Sequence, residues 1–435
     1  MRDIAITAIV LGLLPWILRE PRIGVLTWAW ISYMNPHRLS WGFAYNFPFA
    51  EIVAATTLLG LVVSKEKKAI PWSGLVNLWL VFIVWMGVST LLAIFPEHAW
   101  MQYEKILKIQ LFTFIILMIM GTKERLNALT WVTMLSFGFF SVKGGIFTIL
   151  TGGQNRVWGP AGSFIGDNNS LALASLMTIP LMFYLFQTST KTWIRMGLVG
   201  AMILSLAATL GSQSRGAMLA TLCVGFFLTL KSRHKAAIGL SVLILIPLAF
   251  SLMPKEWHKR MDTIEHYQQD RSAMGRINAW HYAVNVASHR LTGAGLNSWS
   301  KQTFAKYAPD PTDVHAAHSI YFSVLGDHGW PGLLMFIAII VLSWRRGTRA
   351  IMLSKGRQEL TWVSDMAKML QVSLVAYLTG GAFLSLSYFD FPWQIYAMLI
   401  LLERHAARYR AEEEANENAA LESPLDYGSQ RKAFG

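Results

Sequence analysis

The sequence predicts an all-α fold, a polytopic transmembrane helical bundle of about 12–13 spans with one long, partly helical periplasmic loop. Of the 435 residues, 54% are hydrophobic and 14% are charged, whereas a soluble domain carries about 25% charged residues. Apolar runs recur from end to end, and most are long enough to cross about 30 Å of hydrocarbon. The 18 tryptophans and 13 tyrosines fit this class, because their amphipathic rings favour the headgroup level of a bilayer.

The apolar runs set the span count at about thirteen, or twelve if the short first two segments are counted differently. The first segment, MRDIAITAIVLGLLPWIL, lacks a small-residue cleavage site, so we expect a retained helix rather than a signal peptide. The candidate spans are residues 3–18, 23–34, 47–63, 73–95, 106–121, 127–150, 168–187, 193–210, 216–230, 236–253, 328–344, 366–385 and 390–403.

Lysine and arginine cluster in alternate connections between the spans. SKEKK at 64–68, KSRHK at 231–235 and RRGTR at 345–349 belong to the rich set, and the intervening connections are poorer. Because cytoplasmic loops carry the excess of basic residues, the rich set and the C-terminus are predicted to face the cytoplasm. The predicted location is a membrane, in contact with membrane lipids. The same distribution accounts for the net charge of +13 without a nucleic-acid partner.

The pattern divides the chain into four parts. Residues 1–253 are predicted to form an N-terminal bundle and residues 328–403 the C-terminal transmembrane helices, with residues 404–435 as a disordered cytoplasmic tail. Residues 254–327 form the one long polar connection, and long connections of this kind are usually functional. Within it, residues 274–288 have helical spacing, with Ile277, Trp280, Ala283, Val284 and Ala287 on one face.

Arg215 lies in GSQSRGAM, between two apolar runs and close to their outer ends. Charged residues at membrane depth usually face a cavity or a partner, and a planar guanidinium with the neighbouring Ser214 hydroxyl suits phosphate oxygens. We therefore expect an anion-binding arginine, and the alternative is a loop arginine that reaches the headgroups. Arg276, in GRINAW, opens the predicted loop helix and taken alone is a solvated charge near a helix start.

The densest group of chemically capable residues is DVHAAHSIYFSVLGDHGWPG, at 313–332. His315 and His318 would be neighbours on one face if this stretch were helical, and Asp327 and His328 lie nearby in sequence. A histidine acting as general base is favoured, because its pKa lies near neutral pH. Zinc is disfavoured because no Glu follows as in HExxH, and a structural histidine pair is the other alternative.

Two further groups lie at predicted outer mouths of the bundle. Asp167, Asn168 and Asn169 follow a glycine-rich turn and could bind a sugar or cap the following helix. Lys105 and Lys108 could add positive charge to a phosphate pocket. With a single cysteine in the chain, no disulfide or cysteine-based metal centre can form, and neither a metal nor another cofactor is predicted.

Taken together and in their order along the chain, these motifs resemble those of the O-antigen ligase and O-antigen polymerase superfamily of bacterial membrane glycosyltransferases. The resemblance covers residues 150–345 and rests on SQSRG, GRINAW, GAGLNSW and HAAHSIYFSVLGDHGWPG. The stretch GVLTWAWISYMNPHRLSWGFAYNFPFAEIVA, at 24–54, resembles more narrowly the O-glycosylation ligases associated with the exosortase A system.

The resemblance implies metal-independent, inverting transfer of a glycan from undecaprenyl pyrophosphate to a hydroxyl on lipid A–core or on a protein. Carried over by position, Arg215 is expected to bind the donor pyrophosphate, Arg276 to join it, and His318 to activate the acceptor hydroxyl. His315 and Ser214 are expected to contact substrate, together with the mouth residues named above.

Two alternatives stay open at this stage. A polysaccharide polymerase would use the same donor, and the serine at 319, where ligases often have asparagine, leaves the acceptor class open. A polysaccharide or lipid transporter would also have many spans and an intramembrane arginine. Transporters often show two related halves, and no such repeat is evident in this sequence.

Overall fold

The computed structural model describes residues 1–233, 235–251, 253–255, 257–258 and 271–422, and these residues form fifteen α-helices and no strand. Two short 3-10 helices, Pro36–Leu39 and Phe43–Asn46, lie between the second and third of them. The α-helices are α1 (Arg2–Arg19), α2 (Pro21–Met34), α3 (Phe49–Val63), α4 (Gly74–Leu91), α5 (Pro96–Ile119), α6 (Lys123–Leu150), α7 (Asn168–Thr188), α8 (Thr192–Gly211), α9 (Arg215–Lys231), α10 (Lys235–Ser251), α11 (Arg271–His289), α12 (Lys301–Tyr307), α13 (Ile320–Leu353), α14 (Thr361–Gly381) and α15 (Asp390–Glu422).

Within the described part, five helices are long and apolar enough to cross a membrane. They are α4, α6, α7, α8 and α13. The helix α3 and the Lys235–Leu248 part of α10 are shorter apolar helices. The predicted fold class, an all-α polytopic membrane protein, is confirmed. The count of twelve or thirteen spans stays a prediction.

Successive long helices alternate in direction, so their connections gather at two opposite ends of the bundle. We call one of these the loop end, because the longest connections, 151–167 and the described residues 271–319, lie there. Contacts between distant segments define it: the Ile94 N–H donates to the Ala294 carbonyl at 2.9 Å, and the Asn168 side chain donates to the Ser212 carbonyl at 2.7 Å.

The other end, which we call the tail end, collects the basic connections that the sequence singles out. Arg233 pairs with Asp365 at 3.1 Å and Arg346 pairs with Glu403 at 2.6 Å. Arg125 likewise pairs with Glu66. The alternation of basic and non-basic connections in the sequence therefore corresponds to two ends of one bundle.

The helix α15 extends well beyond the predicted span at 390–403 and corrects the expectation of a disordered tail from residue 404. It stays helical to Glu422, because its sequence is rich in the helix formers Ala, Glu and Arg. Ion pairs also hold it: Glu413 accepts from Arg357 at 3.0 Å and lies 3.6 Å from Arg410. The rest of the predicted tail, 423–435, lies outside the described residues.

The loop helix predicted over 274–288 is confirmed as α11, although its buried face is rotated from the predicted one. Ala283 and Ala287 are buried as expected, whereas Ile277, Trp280 and Val284 are only half-buried. The rotation follows from packing on α13, where the Trp280 ring stacks on Phe322 with centroids 4.9 Å apart. The buried positions are Gly275, Asn278, Ala279, Tyr282, Ala283, Val286 and Ala287.

The loop ends earlier than predicted, because α13 begins at Ile320 and not at residue 328. The helix is interrupted at Gly329, where φ is 68° and ψ is −173°. A Cβ at this position would lie 2.1 Å from the Leu291 carbonyl oxygen, so only glycine allows the approach. The amides of Ala294 and Gly295 donate to the carbonyls of Gly326 and Asp327 at 2.8 and 3.0 Å. The GAGLNSW motif thus docks on the GDHGWPG motif.

A buried hydrogen-bond network completes this junction. It involves Asp327 and His328, which are buried in the bundle, and not the two histidines earlier in the same motif. The Tyr388 hydroxyl lies 2.9 Å from Asp327 Oδ2 and 2.8 Å from His328 Nε2. Trp299 donates its indole N–H to Asp327 Oδ1 at 3.2 Å, and the Trp85 indole donates to the His328 carbonyl at 2.9 Å. These two residues therefore join α4, α13 and the 382–389 connection.

The helices α6 and α8 pack closely near the loop end through small residues. Ser141 and Ser205 share a hydrogen bond at 2.8 Å, and a Cβ on Gly145 would lie only 2.0 Å from the Leu204 carbonyl oxygen. Small residues at such contacts let helix backbones approach in membranes.

We expect Gly145→Ala to destabilise the protein by about 1–3 kcal/mol, because the added methyl group cannot fit against the α8 backbone. Thermal unfolding in detergent, followed by tryptophan fluorescence, measures the change. The matched control is Gly197→Ala in α8, where a Cβ would meet nothing within 4 Å. An equal melting temperature for Gly145→Ala and the parent protein would contradict the close packing.

Candidate active site

His318 occupies a strained position in the extended segment that leads into α13. This segment is not helical, so His315 and His318 are not neighbours on a helix face, and helix α13 starts only after its N-cap residue Ser319. His318 has φ of 43°, in the left-handed region that few residues other than glycine adopt. Its backbone N–H donates to the Ser385 hydroxyl at 3.1 Å. Such strain at a histidine is held by its surroundings and often marks a functional site.

The helix α11 supports the segment that carries both histidines. The Asn278 side chain donates to the carbonyls of Asp310 and Asp313 at 2.8 and 2.9 Å, and the Trp280 indole donates to the Ala317 carbonyl at 2.8 Å. Because these partners are backbone carbonyls, the GRINAW sequence fixes the path of the chain immediately before His318.

The same helix brings Arg276 next to the histidines. Its neighbour Gly275 contacts the His315 ring, whose Nδ1 lies 2.7 Å from the position of a Cβ on that glycine. His315 Nδ1 also lies 2.9 Å from Asp313 Oδ1. A side chain at position 275 would displace the imidazole, so the glycine of GRINAW is a packing requirement.

Burial lowers the pKa of His318 below its ordinary value of 6.5, and the positive charge of Arg276 lowers it further. Asp167 opposes this shift and His315 adds to it. Arg276, Asp167 and His315 therefore all lie within electrostatic reach of His318. A lowered pKa favours the uncharged form of the His318 imidazole, which is the form that can accept a proton.

Arg215 begins α9, directly after a tight turn. Gln213 in this turn has φ of 56°, and its side-chain amide donates to the carbonyls of Gly153 and Gln154 at 3.2 and 3.3 Å. The Ser214 hydroxyl caps the helix by accepting from the Ala217 N–H at 3.2 Å. Ser214 therefore acts as an N-cap, and its contact with substrate stays a prediction. Arg215 is half-buried at the loop end.

The connection 382–389 joins the arginine turn to the histidine segment. On one side Phe383 packs on Gly216, with its Cβ 3.2 Å from the position of a Cβ on that glycine. On the other side Ser385 accepts from the backbone of His318. Arg215 and His318 thus border the same eight-residue connection at the loop end.

The glycine-rich turn before α7 closes another side of the site. Asp167 caps α7 by accepting from the amides of Asn169 and Ser170 at 2.9 and 3.0 Å. Asn168 is buried and donates to the Ser212 carbonyl in the arginine turn. Of the two predicted roles, sugar binding and helix capping, Asp167 has the capping role. Its charge also acts on His318. Asn169 is half-buried and remains a predicted substrate contact.

The two predicted lysines lie on α5, and the structure does not join them to this group. Lys108 pairs with Glu104 at 3.1 Å and with Glu51 at 3.6 Å, and Lys105 is exposed. Their assignment to a phosphate pocket stays a prediction.

Sequence reasoning missed two supporting residues. Ser385 lies in LSLSYFD at the end of a predicted span, and its only signal is a serine in an otherwise apolar segment. Asn278 was part of a quoted motif without a role of its own. Both act on the backbone of another segment, and such contacts leave no spacing pattern in the sequence.

The arrangement combines a proton acceptor with anion-binding groups. An uncharged imidazole beside Arg276 can deprotonate a neutral nucleophile, while guanidinium groups stabilise an anionic leaving group. Within the described residues, no group of three or more His, Cys, Asp or Glu side chains could hold a metal ion.

Two parts of the chain match known families. Residues 200–337 match the family described as O-Antigen ligase, and residues 1–190 match a family of unknown function, DUF5935. The first match contains Arg215, Arg276 and His318. No curated protein gives a match to the chain. The family match supports the superfamily resemblance and a membrane glycan ligase or polymerase kind of function. The narrower exosortase-type resemblance stays a prediction.

We expect the imidazole of His318 to titrate below pH 6.5, because burial and Arg276 both disfavour its protonated form. Modification by diethylpyrocarbonate, which requires the neutral ring, should therefore reach half its maximum below this pH when followed by mass spectrometry. Arg276→Gln should move the midpoint to higher pH, because it removes one of the causes that lower the pKa of His318.

The matched control is Arg271→Gln, an exposed arginine at the start of the same helix. It should leave the midpoint unchanged. Equal midpoints in the parent protein and Arg276→Gln would show that Arg276 does not act on His318.

Proposed function

We propose that the protein is a membrane glycosyltransferase of the O-antigen or O-glycosylation ligase type. It moves a glycan from undecaprenyl pyrophosphate to an acceptor hydroxyl on lipid A–core or on a protein. The reaction takes place at the periplasmic face of a bacterial inner membrane. The observation that carries the proposal is the position of His318, which lies within electrostatic reach of Arg276 and against the same connection as the arginine turn of Arg215.

On the donor side, Arg215 and Arg276 bind the pyrophosphate. The guanidinium group is always charged and its planar fork matches phosphate oxygens. As the bond between the sugar anomeric carbon and the phosphate oxygen breaks, negative charge grows on the departing pyrophosphate. Preorganised cations at that position stabilise the transition state, which is usually the largest contribution to catalysis. The pyrophosphate is already a good leaving group, so the mechanism requires neither a nucleotide nor a metal.

On the acceptor side, His318 takes the proton from the hydroxyl as its oxygen attacks the anomeric carbon. The attack comes from the face opposite the pyrophosphate, so the configuration at that carbon is inverted. Arg276 has two effects, because its charge binds the donor and, together with burial, lowers the pKa of His318. Ser385 acts as a positioning residue, since it holds the histidine backbone and touches no substrate in this scheme.

The narrower assignment to a ligase rests on the N-terminal resemblance at 24–54. A polymerase would use the same residues but join repeat units on the carrier itself. In a deletion strain, a missing ligase leaves full-length glycan on the lipid carrier and an undecorated acceptor. A missing polymerase instead leaves single-repeat products.

We expect His318→Ala to reduce glycan transfer by about 10²–10⁴-fold, the usual contribution of a positioned base. Arg215→Ala should reduce it by at least a comparable factor through the loss of pyrophosphate binding. The assay combines purified protein with undecaprenyl-pyrophosphate-linked glycan and either lipid A–core or protein acceptors. His281→Ala and Arg271→Ala are matched controls, because both residues are exposed on α11.

Normal transfer by the purified His318→Ala and Arg215→Ala proteins would end the proposal. Transport of the lipid-linked glycan without any covalent product would replace it with the transporter alternative.

Chelation gives an independent test of the mechanism. Because cationic side chains take the place of a metal ion, we expect the transfer rate to be unchanged in excess EDTA. A loss of activity that is restored by a divalent cation would contradict this part of the proposal.

A further inference from the structure

An apolar groove runs along the outside of the bundle between α6 and α8. Its volume is about 740 Å³, and Met182 of α7 contributes to its lining. Several lining side chains are exposed, among them Leu135, Phe139 and Trp193. The remaining lining residues are Trp131, Met134, Gly138, Val142, Lys143, Ile146, Ile194, Gly197, Leu198 and Ala201.

The groove is long in comparison with one leaflet of a bilayer. On α6 its lining extends from Trp131 to Ile146, which corresponds to about 22 Å of helical rise. The hydrocarbon core is about 30 Å thick, so the tail of one phospholipid spans about half of that distance. A single chain that fills the groove must pass beyond the bilayer midplane.

Lys143 is the one charged residue that lines the groove. It is exposed, and the structure gives it no ion-pair or hydrogen-bond partner among the described residues. It precedes Leu150, the end of α6, by about 10 Å of helical rise, so it lies toward the loop end. An unpaired cation at this depth of an apolar helix is costly unless it meets an anion or the headgroup level.

A second cation leads from the groove toward the candidate active site. Val157 packs directly on Gly144, the chain neighbour of Lys143, with its Cγ1 2.6 Å from the position of a Cβ on that glycine. Arg156, next to Val157, is exposed and donates to the side-chain oxygen of Gln213 at 3.4 Å. Gln213 belongs to the turn that carries Arg215. We call Lys143 and Arg156 the basic path, because Lys143 lines the groove, Arg156 contacts the arginine turn, and their chain neighbours Gly144 and Val157 pack on each other.

We propose that the groove binds the polyprenyl chain of the lipid pyrophosphate donor, with Lys143 and Arg156 guiding the pyrophosphate toward Arg215. The inference rests on the proposed function for the identity of the donor. The apolar lining and its length match a long single chain, and the two cations match the charge of a diphosphate. A phospholipid tail lacks the length to fill the groove from one leaflet.

The test uses two glycines of α8 that both have open space around them. A Cβ on either Gly197 or Gly200 would meet nothing within 4 Å, but only Gly197 lines the groove. We expect Gly197→Phe to raise the KM for an undecaprenyl-linked donor at least tenfold and Gly200→Phe to leave it unchanged. With a donor on a farnesyl chain, which is too short to fill the groove, both variants should equal the parent protein.

The basic path is tested with Lys143→Met and Arg156→Gln, which should weaken binding of undecaprenyl pyrophosphate to the protein in nanodiscs. Lys301→Met, an exposed lysine on α12, is the matched control. Unchanged binding by both variants, together with equal KM values for the two phenylalanine variants, would overturn the groove assignment.

Two outcomes separate this inference from the proposed function. If Gly197→Phe is normal while His318→Ala is inactive, the groove assignment fails and the ligase proposal stands. A photocrosslinker at position 197 identifies the occupant directly. Labelling of phospholipid that undecaprenyl pyrophosphate does not displace would also overturn the assignment.

Discussion

The pair of backbone hydrogen bonds from Ala294 and Gly295 to the carbonyls of Gly326 and Asp327 holds the loop onto the helical body. Pro331 lies four residues after Asp327 and has no N–H to donate to its carbonyl, and the loop supplies a donor there through Gly295. Unsatisfied backbone groups at membrane depth are strongly unfavourable. The positions of α11, of the histidine segment and hence of His318 all follow from this junction.

The site is formed by connections between helices, and these connections belong to different parts of the bundle. The arginine turn, the turn before α7, the histidine segment and the 382–389 connection are far apart in the chain but meet at one end of the bundle. Side chains of one connection hydrogen-bond to backbone atoms of another. Asn168 donates to the Ser212 carbonyl, and Ser385 accepts from the His318 N–H. In the proposed mechanism, polar side chains at the loop end hold the backbone in place, and Arg215, Arg276 and His318 supply the positive charge and the base.

Much of this could be predicted from the sequence, because membrane-crossing helices and basic connections leave strong patterns. The apolar runs predicted the all-α bundle, and helical spacing predicted α11. The start of α13 was placed too late, since Gly329 and Pro331 in the GDHGWPG motif suggest a loop although the helix resumes after the break. The tail was predicted to be disordered from its polarity, but Arg357 and Arg410 stabilise its helix through Glu413. Ser385 could not be found, because its role depends on where a distant backbone atom lies.

The break at Gly329 has a mechanical consequence for His318. An uninterrupted α13 would act as a rigid lever, and any tilt of its long membrane-crossing half would carry the histidine with it. Since the nine residues before the break form a separate short helix, tied to the 382–389 connection through Tyr388 and Ser387, His318 keeps its register with the arginine turn. The position of His318 is therefore set by the short helix and the 382–389 connection, and the long membrane-crossing half of α13 does not contribute to it directly.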